Sequence, residues 1–280
     1  MENLLSPAEI TDAVIEVGRK KVNRTNQQML LLGILAGIFI ALGAYTSNMV
    51  IHTFSPENYG LMKFVQGAVF PVGLILVIVA GAELFTGNTL IFLSFMDKKV
   101  SVKKMLNNWV WVYIGNFIGS ILFVALIHYS GLLNASGGRL GALHVKIAAG
   151  KTSLTIIEIF TRGILANFVV CLAVWMAIGC KTMTGKVLAI WFPIMAFVAG
   201  GFEHSVANMY YIPAGIIEKI NYSSLTGLSS VKLATLNWNG FAYNLIYSTL
   251  GNILGGGIFI SIMYYVIFKS NLDKSSSVEE

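Results

Sequence analysis

The sequence predicts an all-α membrane protein: six transmembrane helices in an inverted 3+3 repeat, with helices two and five broken. Three observations lead there. Of 280 residues, 56% are hydrophobic and 11% charged, with a mean hydropathy of +0.73, whereas a soluble domain is about a quarter charged. Two polar segments interrupt apolar runs: Gly81–Asn88 (GAELFTGN) and Gly201–Asn208 (GFEHSVAN). They stand 120 residues apart, and Gly81 pairs with Gly201, Glu83 with Glu203 and Asn88 with Asn208. Ionisable groups at membrane depth are expensive and mark substrate or ion paths. Two matching interruptions point to a duplicated unit whose breaks meet at one site.

Residues 1–28 open with Ser6-Pro7-Ala8-Glu9, an N-cap, a proline at N1 and a capping-box glutamate at N3. Ile10, Ala13, Val14 and Val17 follow at helical spacing. The expectation is a short cytoplasmic amphipathic helix on the membrane surface, ending near Arg19-Lys20-Lys21. Glu2, Glu9, Asp12 and Glu16 argue against a signal peptide.

A span needs about 20 mostly apolar residues. Six are read: Met29–Ile51, Gln66–Met96, Asn108–Ser130, Leu154–Cys180, Val187–Ile212 and Gly240–Phe268. The second is 31 residues long, too long for one straight crossing of a core ~30 Å thick, and contains Gly67, Pro71, Gly73, Gly81 and Gly87. The fifth carries Pro193, Gly200 and Gly201 before its Glu-His-Ser. Both read as half-helices joined by irregular backbone, which membranes tolerate only where it is buried in protein or lines a wet cavity. The expected organisation is repeat 1 at 29–130, an extracytoplasmic linker at 131–153, repeat 2 at 154–268 and a cytoplasmic tail at 269–280.

With both termini on one side, that side carries twelve Lys and Arg in its connections and the other six. The positive-inside rule then puts both termini in the cytoplasm. Gly115-Asn116-Phe117-Ile118-Gly119 and Gly251-Asn252-Ile253-Leu254-Gly255 extend the repeat. Three spans per half is odd, so the second half enters from the opposite face. The net charge of +6 is a topology signal and implies no nucleic acid. Cys171 and Cys180, on one apolar segment, stand about 13 Å apart at 1.5 Å per residue, too far for a disulfide and too few for a structural zinc site. They read as packing residues, and no metal or cofactor is expected.

His204 is the leading candidate for chemistry. Imidazole alone changes charge near neutral pH; an apolar cavity favours the neutral ring and a bound anion the charged one. Such a group can donate a hydrogen bond to a small anion or share a proton with it. Thr86 supplies a hydroxyl from the other break. Glu83 and Glu203 would repel an anion if they lined a pore. They are expected instead to accept hydrogen bonds from backbone N–H groups freed at the breaks. Asn88 and Asn208 are expected to cap the second half-helices. Asn116, Asn167 and Asn252 are amides that must find partners inside the bilayer. Half-helix N-termini aimed at the centre favour negative charge. Phe70, Leu74, Leu84, Phe85 and Phe197 beside the breaks can form constrictions that gate by dewetting.

The residues Gly81–Thr86 (GAELFT), Arg162–Asn167 (RGILAN) running into Val170–Trp175 (VCLAVW), Phe202–Met209 (FEHSVANM) and Gly251–Gly257 (GNILGGG) resemble the formate/nitrite transporter family, in order and across nearly the whole chain. The resemblance implies an aquaporin-like protomer, a homopentamer with one pore per protomer, a cytoplasmic-membrane location, and small monovalent anions (formate, nitrite or hydrosulfide) as cargo, with no enzymatic activity. By motif it makes Thr86 and His204 the central pair, Lys151 and Asn252 their support, and Phe70, Leu74, Leu84, Phe85, Val170 and Phe197 the constrictions. Ala166 stands where the family often has cysteine. Gly87-Asn88 and the long link Gly131–Lys151 are similar to the hydrosulfide branch. The mechanism expected is channel-like, with desolvation as the barrier and His204 handing a proton to the anion. A proton-coupled carrier is the alternative. A haem protein would need paired histidines on facing spans, where only His128 and His204 stand near spans. A water channel lacks Asn-Pro-Ala, and an ammonia channel needs a different polar lining.

Overall fold

The computed structural model describes residues 4–269, and all its regular structure is helical; of the tail expected at 269–280, residues 270–280 lie outside the described residues. Helix α1 is Pro7–Lys21, α2 Asn26–Ile51 and α3 Tyr59–Val69; α4, Val72–Leu76, runs into a π turn at Val77–Gly81. Then come α5 (Phe85–Asn88), α6 (Ile91–Met96), α7 (Val102–Tyr129), α8 (Ala135–Thr152) and α9 (Ile156–Gly179). The chain continues through α10 (Met183–Ala199), α11 (Ser205–Tyr222), α12 (Ser230–Thr235) and α13 (Trp238–Asn252). A π segment, Ile253–Ile260, joins α13 to α14, Ser261–Phe268. The starts are written in the sequence: Ser6, Thr25 and Thr155 form capping boxes, and Ser101, Thr182 and Asn237 each accept a backbone N–H, which supplies partners for orphaned donors of the first turn.

Five helices among the described residues are long and apolar enough to cross a membrane: Asn26–Ile51, Pro56–Gly81, Val102–Tyr129, Ile156–Gly179 and Trp238–Phe268. The span read at Val187–Ile212 falls across α10 and α11, and the one read at Gln66–Met96 stops at Gly81 and resumes at Phe85. The two interruptions share one backbone device. Gly81 has φ +87° and Gly201 φ +71°, a left-handed conformation that costs glycine no Cβ clash. The next residues run extended, with Leu84 at φ −104°, ψ 123° and His204 at φ −106°, ψ 116°, before helix resumes.

Small residues bring the helices close. Along α2 and α7, Gly33 faces Gly115, Gly37 meets the Asn116 backbone and Gly119 the Ile34 backbone; a Cβ on Gly33 would stand 2.9 Å from the Val112 carbonyl oxygen. Along α9 and α13, Gly163 faces Gly251, and a Cβ on Gly163 would stand 3.0 Å from the Ser248 carbonyl. Without water to squeeze out, membrane helices associate through such close backbone packing.

Two expectations are corrected. The apolar face of α1 does not rest on lipid: Ile10, Val14 and Ile15 are buried against Leu90, Leu93, Val174 and Trp175, and the Ser94 hydroxyl donates to the Ile15 carbonyl at 2.8 Å. Helical periodicity reports that a face is apolar but not what covers it. The segment expected as a linker is largely α8, whose Leu140, His144, Val145 and Ala148 are buried. Its start at Ser136, Gly137 and Gly138 has positive φ, and that break in helical pattern hid it.

Gly119→Leu should place a side chain into the Ile34 carbonyl and destabilise by about 1–3 kcal/mol or more, as overpacking does. A lower melting temperature and reduced monodisperse yield in detergent check this, against Gly60→Ala, where nothing lies within 4 Å of the added carbon.

Candidate functional site

Freed backbone at the first break is satisfied by one side chain from α7. Asn116 Nδ2 donates to the carbonyls of Gly33 (2.8 Å) and Glu83 (2.9 Å), while its Oδ1 accepts the Phe85 N–H (2.9 Å). At the second break Asn252, on α13, repeats the pattern: Nδ2 to the carbonyls of Gly163 (2.8 Å) and Glu203 (3.0 Å), and Oδ1 from the Ser205 N–H (2.9 Å). The Glu83 N–H donates to Leu32 and the Glu203 N–H to Arg162. Each break is thus sewn to a neighbouring helix, as irregular backbone at depth requires.

The two glutamates do something other than bind freed N–H groups. Glu83 pairs with Lys21 at 3.0 Å and with Arg24, and accepts from Asn88 Nδ2 at 2.6 Å. Glu203 pairs with Lys151 at 2.8 Å and accepts from Asn208 Nδ2 at 2.7 Å and Asn244 Nδ2 at 3.2 Å. Asn88 donates also to Asn108 at 2.9 Å, as Asn208 does to Asn244 at 2.7 Å. Asn88 and Asn208 are therefore not N-caps; the capping positions belong to Leu84 and His204. A carboxylate 2–3% exposed needs a cation and its lone pairs satisfied, and the asparagine amides serve that need.

His204 fills two roles at once. Its Nδ1 accepts the Ala207 N–H at 3.0 Å, capping α11, and its Nε2 lies 2.8 Å from Thr86 Oγ1. An N–H donor on Nδ1 requires a lone pair there, so the ring carries its proton on Nε2 and donates toward Thr86. Phe197 stands edge-on at 5.8 Å between ring centres. Thr86 is wholly buried and His204 3% exposed. The two breaks thus meet through one hydrogen bond.

Three cavities lie in series beside His204, which lines two of them, while Thr86 lines none of the three. One of about 250 Å³ is lined by Lys21, Arg24, Glu83, Lys186, Leu74 and Leu84 among others. A second, of about 330 Å³, takes in Lys63, Lys151, Arg162, Glu203, Phe70, Phe197 and His204. Between them sits a void of about 10 Å³ walled by Ile40, Phe70, Leu74, Leu84, Val170, Ile194, Phe197 and His204. Leu74 and Leu84 belong to the first cavity and the void; Phe70, Phe197 and His204 to the void and the second. Of the residues expected to constrict a path, Phe85 is not in this series. Its ring packs edge-on against Trp109 and Tyr113 at 6.1 and 4.8 Å, on the α7–α13 side. Leu84 is the last extended residue and Phe85 the first of α5, and the two side chains face different neighbours, Leu84 the void and Phe85 the aromatic rings of α7. Asn252 binds backbone on both sides of His204, and Lys151 pairs with Glu203.

The formate/nitrite transporter family matches residues 8–266. The chain is 41% identical over 281 residues to a probable formate transporter of Methanothermobacter thermautotrophicus, covering 94% of this chain and 97% of that one. It is 38% identical over 274 residues to the formate channel FocA of Haemophilus influenzae, covering 95% and 96%. A solved pentameric formate channel with formate bound superimposes with a TM-score of 0.77 at 36% identity, over 87% of this chain and 97% of that one. The chain belongs to the formate/nitrite transporter family.

The asparagines Asn108 and Asn244 escape the sequence reading. They lie outside the GN motifs, and their only sequence signal is their position, each eight residues before Asn116 and Asn252. Asn252→Leu should orphan the Ser205 N–H and the Gly163 and Glu203 carbonyls; each unsatisfied buried group costs about 1–3 kcal/mol. Asn116→Leu should match it. Thermal unfolding in detergent checks both, and a loss under 1 kcal/mol would contradict the role given to the amides.

Proposed function

We propose that the protein is a channel for a small monovalent anion, formate foremost, with the Thr86–His204 pair at the centre of its path. The observation that carries this reading is the charge and polarity of the cavity series. Each larger cavity is lined by three basic residues and one glutamate, so each is net positive, and the void between them is apolar except for His204. A bare ion in an apolar medium costs tens of kcal/mol, so an anion must be drawn in, stripped of water only briefly, and met by donors. Positive vestibules concentrate it. Nε2–H of His204 and the Thr86 hydroxyl replace lost water. Leu74, Leu84, Phe70, Val170 and Phe197 form the dry walls on either side. The relatives named as formate channels favour formate over nitrite and hydrosulfide.

In this reading the ring meets the anion as a neutral hydrogen-bond donor. Giving up a proton requires a second proton on Nδ1 first, and that breaks the bond from Ala207. The two halves enter the membrane from opposite faces, so that Asn116 and Asn252 serve equivalent breaks. Both termini are cytoplasmic, in a bacterial cytoplasmic membrane, with 29–130 and 154–268 as the repeats and 131–153 on the outer side. Five copies assemble, as the pentameric relative does, each with its own path.

In proteoliposomes the unmodified protein should pass formate down its gradient. His204→Phe should lower that flux by about ten- to a hundredfold, the equivalent of losing a hydrogen bond of 1.5–3 kcal/mol to a charged group. Flux unchanged in His204→Phe overturns the central role of the pair. Accumulation of formate against its gradient, driven by an imposed pH difference, would instead make the protein a proton-coupled carrier.

A further inference from the structure

We infer that Lys63 and Lys186 are the anion-collecting cations of the two vestibules, one for each mouth; this rests on the anion-channel reading above. Among the four charged residues lining the Lys151 vestibule, Lys151 and Glu203 satisfy each other at 2.8 Å. Arg162 faces Glu158 at 3.7 Å, one turn away. Lys63 has no carboxylate partner among the described residues. Its Nζ donates to Gln66 Oε1 at 3.3 Å, and Gln66, 7% exposed, is itself held by Asn48 at 3.4 Å. The ammonium is therefore aimed by a neutral group, half-buried in the wall of the cavity.

The opposite vestibule has one carboxylate for two of its cations and the same kind of unpaired lysine. Glu83 takes both Lys21 and Arg24, and Lys186 is left without a carboxylate among the described residues. Lys63 stands eight residues before Pro71 and Lys186 seven before Pro193, each on the half-helix that leads to a positive-φ glycine, Gly81 or Gly201. Cations locked against a buried carboxylate offer little net field to an entering anion. An uncompensated cation in a low-dielectric wall offers much more, and field focused in such a cleft raises encounter rates by about 10- to 1,000-fold.

The test uses the full-length protein in membrane vesicles of both polarities, right-side-out and inside-out, with initial rates of formate uptake at low and high salt. Lys63→Glu should raise the half-saturating formate concentration on the order of tenfold at low salt, in one polarity only, with the maximal rate retained. Lys186→Glu should do so in the other polarity. Both effects should fade at about 1 M salt, where the screening length is about 3 Å. Lys63→Arg and Lys186→Arg should behave as the unmodified protein, and so should Lys146→Glu, an exposed lysine that lines none of the three cavities. An unchanged half-saturating concentration, a loss in maximal rate in both polarities, or a salt-insensitive effect overturns the assignment. Absence of formate flux through the unmodified protein sinks the channel reading itself, and the assignment with it.

Discussion

Two amide side chains make the rest of the molecule possible. A helix that stops in mid-membrane leaves backbone donors and acceptors with no water to receive them. Asn116 and Asn252 each accept one freed N–H and donate to two carbonyls, one at the break and one on a neighbouring helix. Asparagine suits the task because its amide presents a donor pair and an acceptor on one short, planar group. Aspartate offers no donor when ionised, and glutamine is a carbon longer. With the backbone held this way, Leu84 and His204 can sit extended where a continuous helix would fill the space.

The glutamates beside the breaks belong to a different layer of the design. Each carboxylate is deep and paired with lysine; Glu83 accepts from the amide of Asn88, which Asn108 holds in turn, and Glu203 accepts from the amides of both Asn208 and Asn244. Removing one partner of such a pair strands a buried charge, so these groups fix geometry. The two boxes are not identical: Glu83 has a second cation in Arg24, whereas the residue 130 positions after Arg24 is Leu154. Lys21 comes from the amphipathic helix, so the first box ties α1 to the membrane domain, while in the second Lys151 ends α8.

Much of this was legible in the chain. The paired polar breaks, the capped start of α1 and the apolar runs of membrane length follow from local chemistry: glycine and polar residues where a helix is interrupted, serine where backbone donors are orphaned. The partners of the polar groups were not legible. Glu83 and Glu203 were assigned backbone donors because sequence shows a freed helix end beside each but not the lysine 62 or 52 residues away. Asn88 and Asn208 were assigned caps on proximity alone, although the histidine four residues ahead of Asn208 holds that position. Phe85 was placed with Leu84 because a motif read along the chain does not say which way each side chain turns. Long-range pairing is set by how helices pack, and composition constrains that only weakly.

One residue both begins α11 and faces the central void. In the proposed channel this ties foldability to selectivity at position 204. A replacement must accept from Ala207 within its first few atoms and still offer a hydrogen on its far side. Lysine and arginine cannot accept, serine is too short to reach across, and glutamine overshoots; asparagine comes nearest in shape. Tolerance to substitution here is therefore narrow for reasons unrelated to cargo, and in the proposed channel a change in ion preference would have to arise among the surrounding apolar walls, where size can vary without disturbing the start of a helix.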